Sequence, residues 1–212
     1  ICQLPAERIA SLKATYPEKF VPPDQIFSHI HRGDRLFIST ACGEPQYLVQ
    51  ALVDYVRDHP KALFDAEVLQ VWTLGLAPYT DSKFVKNFRH HSFFIGHHTR
   101  AAVNQGLADY TPIFLCQVPS LFQQGLVPID VALIQVSYPD GHGYVNLGVS
   151  VDIVKAAVEK AHLVIAQMND YVPKIHGDGF ISIDNIDYIL PHDEPLLTYQ
   201  IESDSVISGR IG

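Results

Sequence analysis

The sequence predicts an α/β protein, a mostly parallel sheet flanked by helices, and three observations carry that prediction. Val131-Ala132-Leu133-Ile134-Gln135-Val136 is an apolar run of strand length, rich in β-branched residues, as a strand buried on both faces of a parallel sheet must be. A second such run, Leu163-Val164-Ile165-Ala166-Gln167-Met168, follows an amphipathic stretch at 153–162 whose Val154, Ala157, Val158 and Ala161 share one helical face. Strand-length runs alternate with helical periodicity elsewhere too, as in βα units. The chain has 212 residues, 47% of them hydrophobic, enough core for one large α/β domain or two closely fused ones.

In chain order, residues 1–32 read as a helical lead-in. Ile9 and Leu12 give a first helix a thin apolar face, and Pro17, Pro22 and Pro23 punctuate the chain after it. Asp24 stands where it could cap a short helix at 25–31 that turns Ile26, Phe27 and Ile30 inward, leaving His29 and His31 at the surface. Gly33-Asp34 turns into a first strand at 35–40, and a loop at 41–46 leads to a helix at 47–58 with Leu48, Leu52 and Val56 on one face. Further strands are read at 67–77, 92–96, 111–116, 131–136, 163–168, 180–183 and 186–190. Further helices are read at 99–103, 118–122 and 153–162, with Ser150-Val151-Asp152 as the start signal of the last. The main domain is placed at 33–200, and the acidic, serine-rich residues 201–209 read as a linker. The chain begins at Ile1 without Met and ends in mid-phrase at Arg210-Ile211-Gly212, so both ends look cut.

Composition narrows the function. Charged residues make up 18% and the net charge is −8, with no Lys/Arg cluster, which disfavours nucleic-acid binding. No apolar stretch approaches the roughly 20 residues that span a bilayer, and no signal-peptide pattern opens the chain. Cys2, Cys42 and Cys116 are an odd number without CxxC spacing and read as reduced thiols of a cytoplasmic protein.

Two loops carry candidate chemistry. In the first, a strand, a glycine turn and a helix with Pro45 in its opening turn form an anion-receptive helix N-terminus, and Gly43 permits close backbone approach. A plain structural βα turn fits the same residues. Glu44 is read as favouring that helix N-terminus by its charge, and Cys42 as a packing residue. The second loop, Ser137-Tyr138-Pro139-Asp140-Gly141-His142-Gly143, breaks the central strand at its carboxyl end, where ligands of open α/β sheets sit. A surface turn that carries His142 by chance fits it as well. Asn169 and Asp170 lie at the carboxyl end of the next strand, on the same edge. His90, His91, His97 and His98 suggest a metal at first sight, but adjacent histidines on extended chain point to opposite faces and no zinc spacing appears. A cationic edge with Arg100 prominent is expected there instead, and no metal. There is no GxSxG elbow and no cysteine with an evident histidine partner. No GxGxxG follows the first strand, against a nucleotide-binding Rossmann protein.

The segment DVALIQVSYPDGHGYVNLGVSVD, Asp130 to Asp152, resembles the signature of the acetyl-CoA hydrolase/transferase family, which includes the acetate, succinate and 4-hydroxybutyrate CoA-transferases. Ala41-Cys42-Gly43-Glu44-Pro45, the stretch Arg100 to Tyr110 (RAAVNQGLADY) and Val164-Ile165-Ala166-Gln167-Met168-Asn169 resemble further family segments in the same order. The likeness covers roughly residues 30–200. Three departures bear on loop shape and substrate choice: Tyr138 replaces a usual proline, Gly141 an acidic residue, and Val145-Asn146 a common Cys-Ser.

The resemblance implies a CoA-transferase-type fold of two related α/β halves with the active site between them, this chain being the amino-terminal half. Ile211-Gly212 would begin the helix that opens a carboxyl-terminal domain carrying the nucleophilic glutamate. That glutamate attacks the acyl-CoA thioester, CoA returns to form a glutamyl-CoA thioester, and an acceptor carboxylate completes the exchange, with loop amides stabilising the oxyanions. This half would contribute no catalytic residue. It would line the pocket for acyl-CoA and a short-chain carboxylate with Gly43, Glu44, Pro45, Gln46, Ser137, Pro139, His142, Gly143 and Tyr144, joined by Gln167, Asn169 and Arg100. A homo-oligomer is expected. The alternative is a stand-alone, non-catalytic ligand-binding or assembly domain of the same fold.

Overall fold

The computed structural model describes residues 5–199, so the expected linker at 201–209 and Ile211-Gly212 lie outside the described residues. In chain order the elements are α1 (Pro5–Thr15), α2 (Pro23–Phe27), β1 (Arg35–Ile38), α3 (Gln46–Asp58), β2 (Ala66–Gln70), β3 (Phe88–Ser92), α4 (His97–Asn104) and β4 (Ala108–Tyr110). Next come α5 (Val118–Gln123), β5 (Val131–Val136), β6 (Tyr144–Asn146), α6 (Val154–Lys160), β7 (Leu163–Met168), β8 (Phe180–Ser182) and β9 (Tyr188–Pro191).

Seven strands form one sheet in the order β4-β3-β2-β1-β5-β7-β9, every pair parallel, while β6 and β8 pair antiparallel outside it. Side-chain alternation divides the core between the two faces. Leu36, Ile38, Val131 and Leu133 pack with Leu48, Leu52 and Val56 of α3 on one face. Phe37, Ala132, Ile134 and Val136 pack with Phe122 of α5 and Ala157 of α6 on the other. Strand order reverses at the neighbours β1 and β5, so the chain leaving one runs to one face and the chain leaving the other to the opposite face. Such a switch point opens a crevice beyond the strand carboxyl ends, and both candidate loops border it.

Several elements differ from the sequence-based expectation. The apolar run 67–77 pairs only through Gln70, because Trp72 leaves the ladder to bond with the loop after β1: its N–H donates to Thr40 Oγ1 and its carbonyl accepts from Ala41 N–H. The strand expected at 92–96 is instead the polar stretch Phe88-Arg89-His90-His91-Ser92. The one expected at 111–116 is Ala108–Tyr110, ended near Pro112, which has no N–H to donate. Pro22 rather than Asp24 caps α2. The segment after Gly143 pairs for three residues only, and Gly148 at φ +61° then turns the chain. Among the described residues no helix is long and apolar enough to cross a membrane.

The polar strand β3 has a consequence for stability. His90 is 2% exposed, its Nε2 lies 2.7 Å from Ser92 Oγ, and burial, with His91 nearby, pushes its pKa down from 6.5 to about 4. A depressed histidine contributes stability that is present above pH 6.5 and lost as pH falls through 4. The difference in urea midpoint between the native protein and a His90→Gln variant, measured across that window, moves against the native protein as pH falls.

Candidate functional site

The loop after β1 is built around a buried carboxylate. Ala41 takes φ +51°, a conformation that costs a non-glycine residue about 1–2 kcal/mol, and is held there by its N–H bond to Trp72 O at 2.9 Å. Gly43 follows against Ser150, so close that a Cβ would stand 2.5 Å from Ser150 Cβ. Glu44 is 3% exposed, and its carboxylate faces the loop after β2 rather than its own helix. It accepts from the N–H groups of Leu74 (2.5 Å) and Gly75 (3.0 Å) and from the Gln46 side-chain amide (3.0 Å). Gln46 Oε1 in turn accepts from Leu76 N–H. Burial pushes the Glu44 pKa up from 4.5 to about 7 against the pull of these donors.

The amides at the start of α3, which the sequence left open for an anion, are occupied by the protein itself. Leu48 N–H donates to Gln167 Oε1 and Tyr47 N–H to Glu194 Oε1. Glu194 therefore does what was expected of Glu44, placing a carboxylate at the positive end of the helix. Behind it runs a buried side-chain network. Gln135 Nε2 donates to the Glu44 carbonyl, Asn169 Nδ2 donates to Gln135 Oε1 and the Glu194 carbonyl, and Gln167 Nε2 donates to Glu194 Oε1. Tyr47 stacks on His192 at 3.9 Å between centroids, and both line a cleft of about 270 Å³ with Gln46, Leu76 and Glu194.

The loop after β5 is fixed by Asp140, whose carboxylate accepts from His142 and Tyr144 N–H while Gly143 turns at φ +79°. Asp140 is thereby held below the usual carboxylate range. Ser137 is buried and closes the loop base, its N–H donating to Asn146 O and its hydroxyl accepting from Asn146 N–H. Tyr138, the departure from the family pattern, is buried with the Arg8 guanidinium 4.4 Å from its ring centroid, and burial pushes its pKa up to about 12. Arg8 also pairs with Asp170 at 3.0 Å, so α1 pins this loop to the end of β7.

The first loop is tied to the strand that feeds the second through Gln135 of β5, and to the segment beyond β6 through Ser150, whose hydroxyl donates to Thr40 O. Of the expected pocket residues, Gly43, Glu44, Pro45, Gln46, Ser137, Gln167 and Asn169 gather here. His142 and Tyr144 are exposed at the tip of the second loop, and Pro139 is partly exposed beside Arg8. Arg100 stands exposed on α4, and its side chain makes no hydrogen bond or ion pair among the described residues. Sequence reasoning passed over Gln70, Gln135, Ser150, His192 and Glu194. The glutamines did leave a signal: each is a lone amide near the carboxyl end of a strand that is otherwise apolar there. Cys42 and Cys116 carry free thiols, and among the described residues no three His, Cys, Asp or Glu side chains converge on one point.

The close fit at Gly43 gives a first expected result. Gly43→Ala costs about 1–3 kcal/mol in urea unfolding, the usual range for an overpacked buried site. Ser150→Gly removes the opposing Cβ together with the hydroxyl bond to Thr40 O, so it costs stability alone, but the two changes together cost less than the sum of the single effects.

Comparison with known proteins matches residues 6–199 to the acetyl-CoA hydrolase/transferase N-terminal domain. The 4-hydroxybutyrate coenzyme A transferase of Clostridium kluyveri is 44% identical over 185 residues, covering 87% of this chain and 42% of that protein. The succinyl-CoA:acetate/propanoyl-CoA:succinate CoA transferase of Fasciola hepatica is 34% identical, covering 98% and 43%. Among solved structures, RipA from Yersinia pestis superposes with a TM-score of 0.80 at 26% identity, over 92% of this chain and 47% of that one. The 4-hydroxybutyrate CoA-transferase of Porphyromonas gingivalis gives 0.73 at 28% identity, over 90% and 43%. The chain thus spans less than half the length of the curated relatives it matches.

Proposed function

Because the chain belongs to the acetyl-CoA hydrolase/transferase family, we propose that it forms the acyl- and carboxylate-facing half of an enzyme that moves CoA between an acyl-CoA and a short-chain carboxylate. The observation that carries this reading is the pair of loops at the β1/β5 switch point: the first is fastened to β5 by Gln135, to the segment after β6 by Ser150 and to the β2 loop by Glu44, and the second is closed at its base by Ser137 on Asn146. Their role is to hold one wall of the pocket in a fixed shape, which is how a non-reacting half contributes to positioning. Gly43, Glu44, Pro45, Gln46, Ser137, Pro139, His142, Gly143 and Tyr144 are the proposed wall. Gln167 and Asn169 stand behind it, and Arg100 is a cation at its outer rim.

The nucleophile is a glutamate carboxylate in a carboxyl-terminal domain outside this chain. It attacks the thioester carbonyl and expels CoA thiolate, leaving a mixed anhydride. The thiolate then attacks the glutamyl carbonyl of that anhydride, releasing the donor carboxylate and leaving a glutamyl-CoA thioester. The acceptor carboxylate runs the same two steps in reverse. If water reaches the thioester first, the outcome is hydrolysis. Acyl-CoA, the acceptor acid and the carboxyl-terminal domain are the proposed partners, in a self-associating cytoplasmic protein. The gene product carried to its natural stop codon, incubated with acetyl-CoA, gains the mass of CoA less water on one glutamate in intact-mass and peptide spectra. Absence of any such adduct, with acetyl-CoA bound, favours instead a domain that binds acyl-CoA without transferring it.

A further inference from the structure

Beside the loop pair lies a second concavity of about 400 Å³, lined by Val71, Trp72, Phe93, Phe94, Ile113 and Leu115, with Val118 and Tyr199 at its ends. Its position is set by the topology. Val71 and Trp72 come directly after β2, and Phe93 and Phe94 directly after β3, so it opens beyond the carboxyl ends of two sheet strands, the edge where α/β proteins take ligands. It also shares a wall with the first loop, because the Trp72 backbone bonds to Thr40 and Ala41. Phe94 is 57% and Leu115 54% exposed, so apolar surface faces outward here. The Trp72 indole is held in place: Phe94 and Tyr199 meet it edge-on, and a Cβ on Gly96 would stand 2.9 Å from it.

We propose that this groove receives the apolar tail of the carboxylic acid, free or as its CoA thioester, so that the protein prefers medium-length or ring-bearing acyl groups to acetyl. The inference deepens the transferase reading and rests on it. Among the described residues no charged side chain lines the groove, so a carboxylate could not sit in it unpaired without a heavy desolvation cost. A hydrocarbon tail loses only water. The volume falls within the roughly 300–1,000 Å³ of small-molecule pockets. The head group would then project toward the Thr40–Gln46 loop.

Trp72 is the only tryptophan among these 212 residues, and the part of the protein's emission that a Trp72→Phe variant lacks reports occupancy. Titration with acetate, butanoate, hexanoate and octanoate gives a saturable blue shift that acetate lacks, with affinity rising about fourfold per added methylene, the value of one buried CH₂. Phe94→Ser, at a position exposed enough to tolerate the change, flattens that dependence while leaving the circular dichroism spectrum unaltered. Equal affinity for all four acids overturns the proposal. So does an unliganded emission that is already blue, shielded from iodide and indifferent to every acid, since the protein's own chain then fills the groove. The wider reading is separable by a CoA-exchange assay. Exchange with an unresponsive Trp72 sinks the groove alone, whereas a chain-length-dependent Trp72 signal without exchange sinks the transferase and leaves a carboxylate-tail site.

Discussion

Glu44→Ala lowers the unfolding free energy by about 3–5 kcal/mol, the expected consequence of leaving the buried Gly75 N–H and the half-buried Leu74 N–H and Gln46 amide without an acceptor, at about 1–3 kcal/mol for a fully buried group and less for the others. The carboxylate ties the β1 loop to residues 74 and 75, so its loss frees the cleft wall as well as destabilising the fold. Glu44→Gln separates charge from shape. It keeps the volume but turns an NH₂ toward N–H donors, which imposes a cost that hardly varies with pH. The native carboxyl adds a dependence on pH. Its pKa is raised from 4.5 to about 7, so its contribution is fully present below pH 4.5 and is lost as pH rises through 7. Between those limits the native protein loses on the order of 3 kcal/mol relative to the Glu44→Gln variant. Urea unfolding at pH 4.5, 6 and 8 reads this as a steady narrowing of the gap between the two, and a constant gap contradicts it. His90 tilts the native profile the opposite way over nearly the same range, so the comparison is made against the single variant at each pH.

Asn169→Ala is expected to cost about 2–4 kcal/mol, again from buried groups left unpaired. The side chain is fully buried at the end of β7 and joins four partners: its amide donates to Gln135 Oε1 and the Glu194 carbonyl, and its oxygen accepts from Tyr171 and Glu194 N–H. Asn169→Asp keeps the shape and removes the donor, setting a carboxylate against two acceptors. It destabilises at neutral pH and recovers partly in acid, where the protonated acid can donate again. Gln135 links Asn169 to the Glu44 carbonyl, so the Glu44→Ala and Asn169→Ala effects should fall short of additivity by 0.5 kcal/mol or more, on the scale of about 0.5–3 kcal/mol seen for residues in one network. Strict additivity would mean that the β1 loop and the end of β7 move independently.

How much of the fold and the site was legible in the sequence depended on burial. The runs at 131–136 and 163–168 were read to the residue, because a strand covered on both faces tolerates almost nothing but apolar side chains. β3 was misplaced for the opposite reason. Its neighbours cover it less evenly, so Arg89 and His91 can sit among other polar side chains: Arg89 pairs with Asp109, and His91 with Glu67 and Thr111. The more apolar Phe93-Phe94-Ile95 then drew the reading past the true strand end. The two site loops were found from their glycines, prolines and strand-end positions. Their chemistry was not, because Glu44 meets Leu74 only when β1 and β2 lie side by side in parallel register, and Glu194 reaches α3 only after the chain has crossed the sheet. Sequence spacing of 30 and 147 residues carries no trace of either contact.

The most direct test is isotope exchange between labelled acetate or butanoate and the corresponding acyl-CoA, with the protein carried to its natural stop codon assayed beside the 212-residue chain. The longer protein is expected to exchange label, the 212-residue chain to be silent, and Glu44→Gln in the longer protein to exchange more slowly while still forming the CoA adduct. Exchange by the 212-residue chain alone would contradict the assignment, since the nucleophile would then have to lie within these 212 residues.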